Sequence, residues 1–312
     1  MYNIYSNNEN GMLFKNNQIG YGCWIHMVAP SGQEMTHVAH TLGIPIDFIK
    51  APLDGEERAR IEKENKHTLI MIDMPNITKN EKNQLIYETV PLGIILTGDC
   101  IVMVCSTEHP IMNQFIHKKV KHFYTNKKTN FSLQVLYVIT LLYLRYLKQI
   151  SKMMNEIENE LLQSKKNKEL FSLLNLEKSL IYFTTSLKSN HMVMQKMLRH
   201  HFLKIGEDDR ELLEDVMLEN QQAIELAETY STILSSMMNA FASVTSNNLN
   251  VVIKFLTSVT IILSLPMIVA SFYGMNVAIP YQAGPHAFLV AILISILLSG
   301  TTAFIFWKKR VF

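Results

Sequence analysis

No Asp, Glu, Lys or Arg occurs anywhere in residues 255–307, although the chain ahead of that stretch is richly charged. This limits the fold more than any other feature. Asn, Gly, Pro and Gln interrupt the apolar pattern at 276–285 and leave two segments, 255–273 and 287–307. Each is close to the roughly 20 residues a helix needs to cross about 30 Å of hydrocarbon. A helix buried in a soluble core seldom lacks a polar face over such a length, so two membrane spans are expected.

The flanking charges give the topology. Lys254 precedes the first span, Lys308, Lys309 and Arg310 follow the second, and the loop between them has no basic residue. The positive-inside rule therefore puts both ends in the cytoplasm, with about 250 residues on that side. A formal net charge of +2 argues against nucleic acid as a partner. The first residues show no basic, apolar, small-residue leader pattern, and Cys23, Cys100 and Cys105 form no CxxC pair. All three cysteines read as small strand residues in a reduced compartment.

Residues 1–125 mix short β-like runs with one or two helices. "YGCWIHMVAP", "HTLIMIDMP", "LGIILTGD" and "IVMVCST" read as strands, whereas "MTHVAHTLGI" and "PIDFIKAPLDGEERARIE" read as helices and connecting loops. An α/β domain followed by long helices is the fold class this implies. A helical segment fills 126–204, with a linker at 126–129 and a break at 164–167. The acidic run after Gly206 then starts a third helix, since acids in a first turn complement the helix dipole.

That third helix, within 205–273, has no evident stop before the first span. Leu213, Met217, Asn220, Ile224, Ala227, Ser231, Leu234, Met238, Phe241, Thr245 and Asn248 alternate at steps of four and three, the period of a coiled-coil seam. A single helix so long needs partners, which implies several copies of the chain. Carried into the span, the same phase selects Asn250, Ile253, Thr257, Thr260, Ser264, Met267 and Ser271. Five of these seven are polar, while the other faces are almost wholly apolar. A polar stripe inside a bilayer faces protein or water.

Lining an aqueous path requires a closed ring of such helices. The stripe offers no thiol, imidazole or carboxylate, which suits neither soft metals nor strongly charged traps. Mg²⁺ favours oxygen ligands and gives up its waters reluctantly, so hydroxyls and Asn carbonyl oxygens suit its hydrated form. No nucleophile–base pair, phosphate loop or Walker sequence is present, so neither an enzyme nor ATP-driven transport is expected. Gly20-Tyr21-Gly22 reads as a turn. His117, His122, His200 and His201 read as solvated helix residues rather than metal ligands.

Tyr273-Gly274-Met275-Asn276, at the end of the first of two C-terminal spans and ahead of a basic tail, resembles the signature of CorA-type magnesium transporters. "LDGEERARIE", "YETVPLGIIL" and "LLNLEKSLIYFTTSL" are similar to stretches typical of that family. The resemblance implies a funnel-shaped homopentamer in a bacterial plasma membrane, its third long helix continuing as the pore-lining span. The loop 274–286 then carries the outer selectivity site Gly274, Met275 and Asn276, with Asn276 meeting hydrated Mg²⁺. The second span, 287–307, forms an outer ring, and 308–312 is a cytosolic basic tail.

It further implies hydrophobic constrictions near Ile253 and Leu256. Mg²⁺ is then both substrate and regulatory ligand, closing the channel from the cytosol with Asp215 as one ligand; the resemblance does not carry over which carboxylate of the first domain is its partner. The outer loop lacks the acids that many relatives carry there. Co²⁺ and Ni²⁺ are the secondary substrates expected. The rival readings are a transporter specialised for Zn²⁺ and a membrane-anchored scaffold.

Overall fold

The computed structural model describes residues 1–8, 11–79, 85–117, 120, 123–163, 168–199, 202–203, 205–277, 280 and 286–309, with the side chains of 160–163 and 168–170 left aside. Two compact units result, Met1–Met237 and Met238–Phe312.

A seven-stranded sheet organises the first unit. Its strands are β1 (Tyr2–Asn7), β2 (Leu13–Asn16), β3 (Trp24–Val28), β4 (Arg60–Glu64), β5 (His67–Lys79), β6 (Leu85–Leu96) and β7 (Ile101–Cys105). Their order is β2-β1-β3-β7-β6-β5-β4, and β3–β7 is the parallel pair among antiparallel neighbours. Every residue of β7 is buried, as expected of a strand covered on both faces.

Alternation along β3 shows how the two faces are filled. Ile25 and Met27 join a core with Val38 and Ala39 of α1 (Gly32–Leu42) and Phe48 and Ile49 of α2 (Ile46–Lys50). Trp24 points the other way, meeting Phe131 of α4 (Lys128–Gln163) edge-on at 5.2 Å. Phe115 of α3 (Pro110–Ile116) and Phe123 complete that aromatic cluster. Tyr143 of α4 packs at 5.0 Å on Phe183 of α5 (Lys168–Arg199), which also meets Tyr87 of β6.

Local signals explain the element ends. Ser31 and Glu34 form a capping box that satisfies two backbone donors at the start of α1, and Gly43 ends it at φ 66°. Polar caps also reach between elements: Asn190 of α5 donates to the Asp73 carbonyl at 2.8 Å and accepts from the Asp73 amide at 2.9 Å. Tyr143 donates to the same carbonyl at 3.1 Å.

The sequence reading differs from this fold in four places, the first being that α4 starts at Lys128, inside the expected linker 126–129. Arg60–Glu64 is the edge strand β4, where helix and loop were expected; its charged side chains belong to an edge that discourages further pairing. Strands β1 and β2 went unread because their polar, short sequences carry little apolar alternation. Helix α3 ends at Ile116, and His117 lies just past it with Nδ1 2.9 Å from the Asn113 carbonyl. His122, His200, His201 and the break at 164–167 fall outside the described residues.

Helix α6 runs from Glu207 to Tyr273, 67 residues, with Glu207, Asp208 and Asp209 in its first turn. Helix α7 (Ala287–Lys308) follows. Among the described residues three helices are long and apolar enough to cross a membrane, and α4 is the third. The apolar window of α4 is 61 % buried inside the protein, against 6 % for α6 and 0 % for α7. Packing within the chain thus accounts for the apolar side chains of the α4 window and leaves those of the α6 window and of α7 facing outward.

Candidate functional site

The second unit is built from the C-terminal part of α6 and from α7. On α6 its buried residues are Ser258, 3 % exposed, and Val269, 7 % exposed. On the same side, Ser299 of α7 donates to the Ile262 carbonyl at 3.3 Å. Pro266 explains this bond. A proline four residues on has no N–H to give the Ile262 carbonyl, and a serine hydroxyl from the neighbouring helix takes the vacant place.

At 3.6 residues per turn, Ser258, Ile262 and Val269 fall within an arc of about 40°. Thr260, Ser264 and Ser271 each lie two residues further along, and so about 200° away, on the side of α6 opposite α7. Ile253, Leu256 and Met267 share that side and are 50 %, 64 % and 70 % exposed. Thr257 and Asn250 lie on its flank and are also exposed. The stripe read from the sequence therefore runs along the α6 face that this chain leaves uncovered.

Two of its hydroxyls are oriented. Thr260 donates to the Leu256 carbonyl at 2.8 Å and Ser264 to the Thr260 carbonyl at 2.7 Å. A hydroxyl has one proton and two lone pairs. With the proton given to the helix, the lone pairs of Thr260 and Ser264 face outward as acceptors. The hydrogens of water around a cation point away from the ion and match such a surface.

At the end of the stripe, Gly274 donates to the Ala270 carbonyl at 3.0 Å and Met275 to the Phe272 carbonyl at 3.2 Å. The φ of Gly274 is not left-handed, so no turn geometry demands glycine there. A methyl group in its place would sit 3.3 Å from the Ala270 carbonyl oxygen, a tight fit. Met275 and Asn276 are exposed beyond it. Residues 278–279 and 281–285 fall outside the described residues, and with them most of the acid-free outer loop. Between the ends of α6 and α7 lies a largely apolar groove of about 750 Å³, lined by Pro266, Ala270, Tyr273, Ala287, Ala291 and Ser295 among others.

In the first unit the α6 seam is covered: Leu213, Asn220, Ile224, Ala227 and Leu234 are buried, and Asn220 donates to the Leu187 carbonyl at 3.0 Å. Asp215 is exposed, and its neighbour Glu214 pairs with Arg210 at 3.1 Å. No group of three or more His, Cys, Asp or Glu side chains able to hold a metal exists among the described residues. Among the described residues, one chain alone therefore brings no such metal-holding group to Asp215. Sequence reasoning missed the Pro266–Ser299 relation, whose signals were a proline within an apolar span and a serine in the next.

Residues 20–310 match the CorA-like Mg²⁺ transporter protein family. The chain belongs to this family. It is 26 % identical over 291 residues, 92 % of its length and 90 % of the relative's, to a protein named cobalt/magnesium transport protein CorA from Methanocaldococcus jannaschii. The complete CorA magnesium transporter structure from that organism aligns with a TM-score of 0.86 at 25 % identity, covering 99 % of this chain and 98 % of that one. The full-length CmaX protein aligns at a TM-score of 0.74 and 15 % identity, covering 99 % and 96 %; this likeness concerns the fold alone. Family membership makes the chain a membrane transporter rather than an enzyme.

Proposed function

We propose that the protein conducts Mg²⁺ passively across the cell membrane, with Co²⁺ and Ni²⁺ as secondary substrates, through a pore shared by several copies of the chain. The uncovered polar stripe opposite α7 carries this reading. Five copies, the number the family resemblance implies, bring their α6 helices together so that Thr257, Thr260, Ser264 and Ser271 line one path. Asn276 meets the hydrated ion at the outer mouth beside Gly274 and Met275. Its carbonyl oxygen accepts from the ion's water shell without stripping it, a compromise between binding and release. Ile253 and Leu256 form the apolar constriction towards the inner end, near Asn250 and Lys254.

The membrane potential supplies the drive. Moving a divalent ion through 100 mV yields roughly 4.6 kcal/mol, so no nucleotide is required. Both ends of the chain lie in the cytoplasm. Cytosolic Mg²⁺ bound at Asp215, with a carboxylate from another copy completing its shell, holds the pore closed when the cell is replete.

Asn276→Ala in proteoliposomes is the decisive variant. Mg²⁺ uptake driven by an inside-negative potential falls to the protein-free background, while the size of the detergent-solubilised assembly is unchanged. Uptake at the wild-type rate would remove Asn276 from the mechanism.

A further inference from the structure

The parallel pairing of β3 with β7 sets Trp24 opposite Ile101, and one step back it sets Cys23 beside Cys100. Ile101 donates to the Cys23 carbonyl at 3.0 Å, so the register persists to the strand ends. The two sulfurs lie 2.8 Å apart, although 77 residues separate them in the chain. We propose that Cys23 and Cys100 form a dithiol that hydrogen peroxide oxidises to an intramolecular disulfide, a modification site in the N-terminal unit.

Both thiols are buried, but the lid above them is one turn thick. Gly20 and Tyr21 are exposed, and Cys100 Sγ–H donates to the Gly20 carbonyl at 3.1 Å. Gly22 holds this turn at φ 71°, where a Cβ would meet Asn126 Cβ at 2.9 Å, so the closely fitted lid requires glycine. A small neutral oxidant passes such a lid more readily than a bulky disulfide. Beneath it, Lys128 donates to the Thr97 carbonyl at 2.7 Å and to the Gly98 carbonyl, and Gly22 donates to the Asp99 carbonyl at 2.7 Å. The loop bearing Cys100 is thereby held against the β3 end.

The pair is chemically asymmetric. The neighbouring Cys100 thiol lowers Cys23 to about 7, whereas Cys23 and burial raise Cys100, so Cys23 ionises first and is the attacking sulfur. Cys105, beside His26 at 3.9 Å, is raised by burial to about 12 and stays a thiol. The Cys23 thiolate attacks one peroxide oxygen; an S–O bond forms, the O–O bond breaks, and the hydroxide released takes the Cys23 proton as water. Cys100 then attacks Cys23 Sγ; the S–S bond forms, the S–O bond breaks, and the Cys100 proton leaves with the second water. Two thiols lose two electrons in all, and one peroxide becomes two waters. Reversible bonds of this kind are the sort a reduced compartment tolerates.

The test uses the full chain in detergent, treated with hydrogen peroxide, quenched, and alkylated after denaturation. The three alkylatable cysteines fall to one, a Cys23–Cys100 linked peptide appears, and Cys105 carries the label. Dithiothreitol restores all three. Cys105→Ser oxidises like the wild type, whereas Cys23→Ser and Cys100→Ser give no linked peptide. Should Cys23 and Cys100 stay fully alkylatable under peroxide, or should the bond that forms join two chains, the site does not exist. The wild-type peptide map alone decides between these results if a serine variant misfolds.

Discussion

Helices α4 and α7 both hold an apolar window long enough to cross a membrane, that of α7 the more apolar, and their surroundings are opposite. Both satisfy the length and composition of a membrane span, yet the apolar window of α4 is 61 % buried within the protein and that of α7 is 0 %. In α4 the apolar residues meet partners from the same chain, such as Tyr143 against Phe183 and Phe131 against Trp24. Those of α7 meet none of comparable extent. Hydropathy measures what a helix excludes, water, and only the fold shows whether protein or lipid replaces it.

A matched pair of truncations sets this contrast against measurement. Leu147 of α4 is fully buried and Leu297 of α7 is 60 % exposed. Leu147→Ala should destabilise the first unit by about 2–5 kcal/mol, the cost of deleting packed methylenes. Leu297→Ala should change that unit by less than about 0.5 kcal/mol, as surface substitutions do. The two tryptophans are convenient reporters, Trp24 fully buried in the first unit and Trp307 70 % exposed in the second. Denaturant unfolding followed through Trp24 in a Trp307→Phe background reads the first unit alone. Equal losses from both truncations would break the comparison.

Acid sharpens it further. His26 is buried in β3, and burial lowers it from 6.5 to about 4. Burial also lowers His109, whose Nε2 lies 2.9 Å from the Pro75 carbonyl. A group whose folded value is depressed in this way protonates first in the unfolded chain. Its contribution to stability is therefore complete above pH 6.5 and is lost as pH falls towards about 4. The loss at His26 has an upper bound of roughly 3 kcal/mol. Asp73, raised by burial, works in the opposite direction. His26→Gln should flatten the acid limb of the Trp24 unfolding curve; an unchanged slope would place the titration elsewhere.

The smallest effect probes the second unit. Ser299→Ala removes the bond to the Ile262 carbonyl and should cost about 0.6–1.7 kcal/mol, the range for polar contacts between membrane helices. Pro266→Ala restores an N–H four residues after Ile262, so the serine substitution should cost almost nothing in that background. A double-mutant cycle on thermal stability in detergent measures the coupling. Additive losses would show that the hydroxyl serves something other than the proline's vacancy.

The legible parts of this chain were those where one physical constraint dominates. Fifty or so charge-free residues cannot face water on every side, so the two spans declared themselves. Acids after Gly206 mark the start of α6, and the recurrence of Thr260, Ser264 and Ser271 on one face was visible because helical periodicity is rigid. What stayed hidden depends on elements distant in sequence. β4 reads "RIEKE", a charged string that becomes a strand because β5 pairs with it. Cys23 and Cys100 meet because β3 and β7 run parallel, a pairing that no local pattern announces. Asp215 was legible as an acid on a helix face, and the fold leaves it exposed.

Pro266 and Ser299 also have a consequence for how this protein tolerates change. Each position makes sense of the other, one by withholding a donor and one by supplying it across the helix pair. A lineage that exchanges the proline for an ordinary residue releases the serine from its duty, whereas one that loses the serine first carries an orphaned carbonyl in lipid. Substitutions are therefore easier in one order than the other, and the two sites behave as a single heritable character.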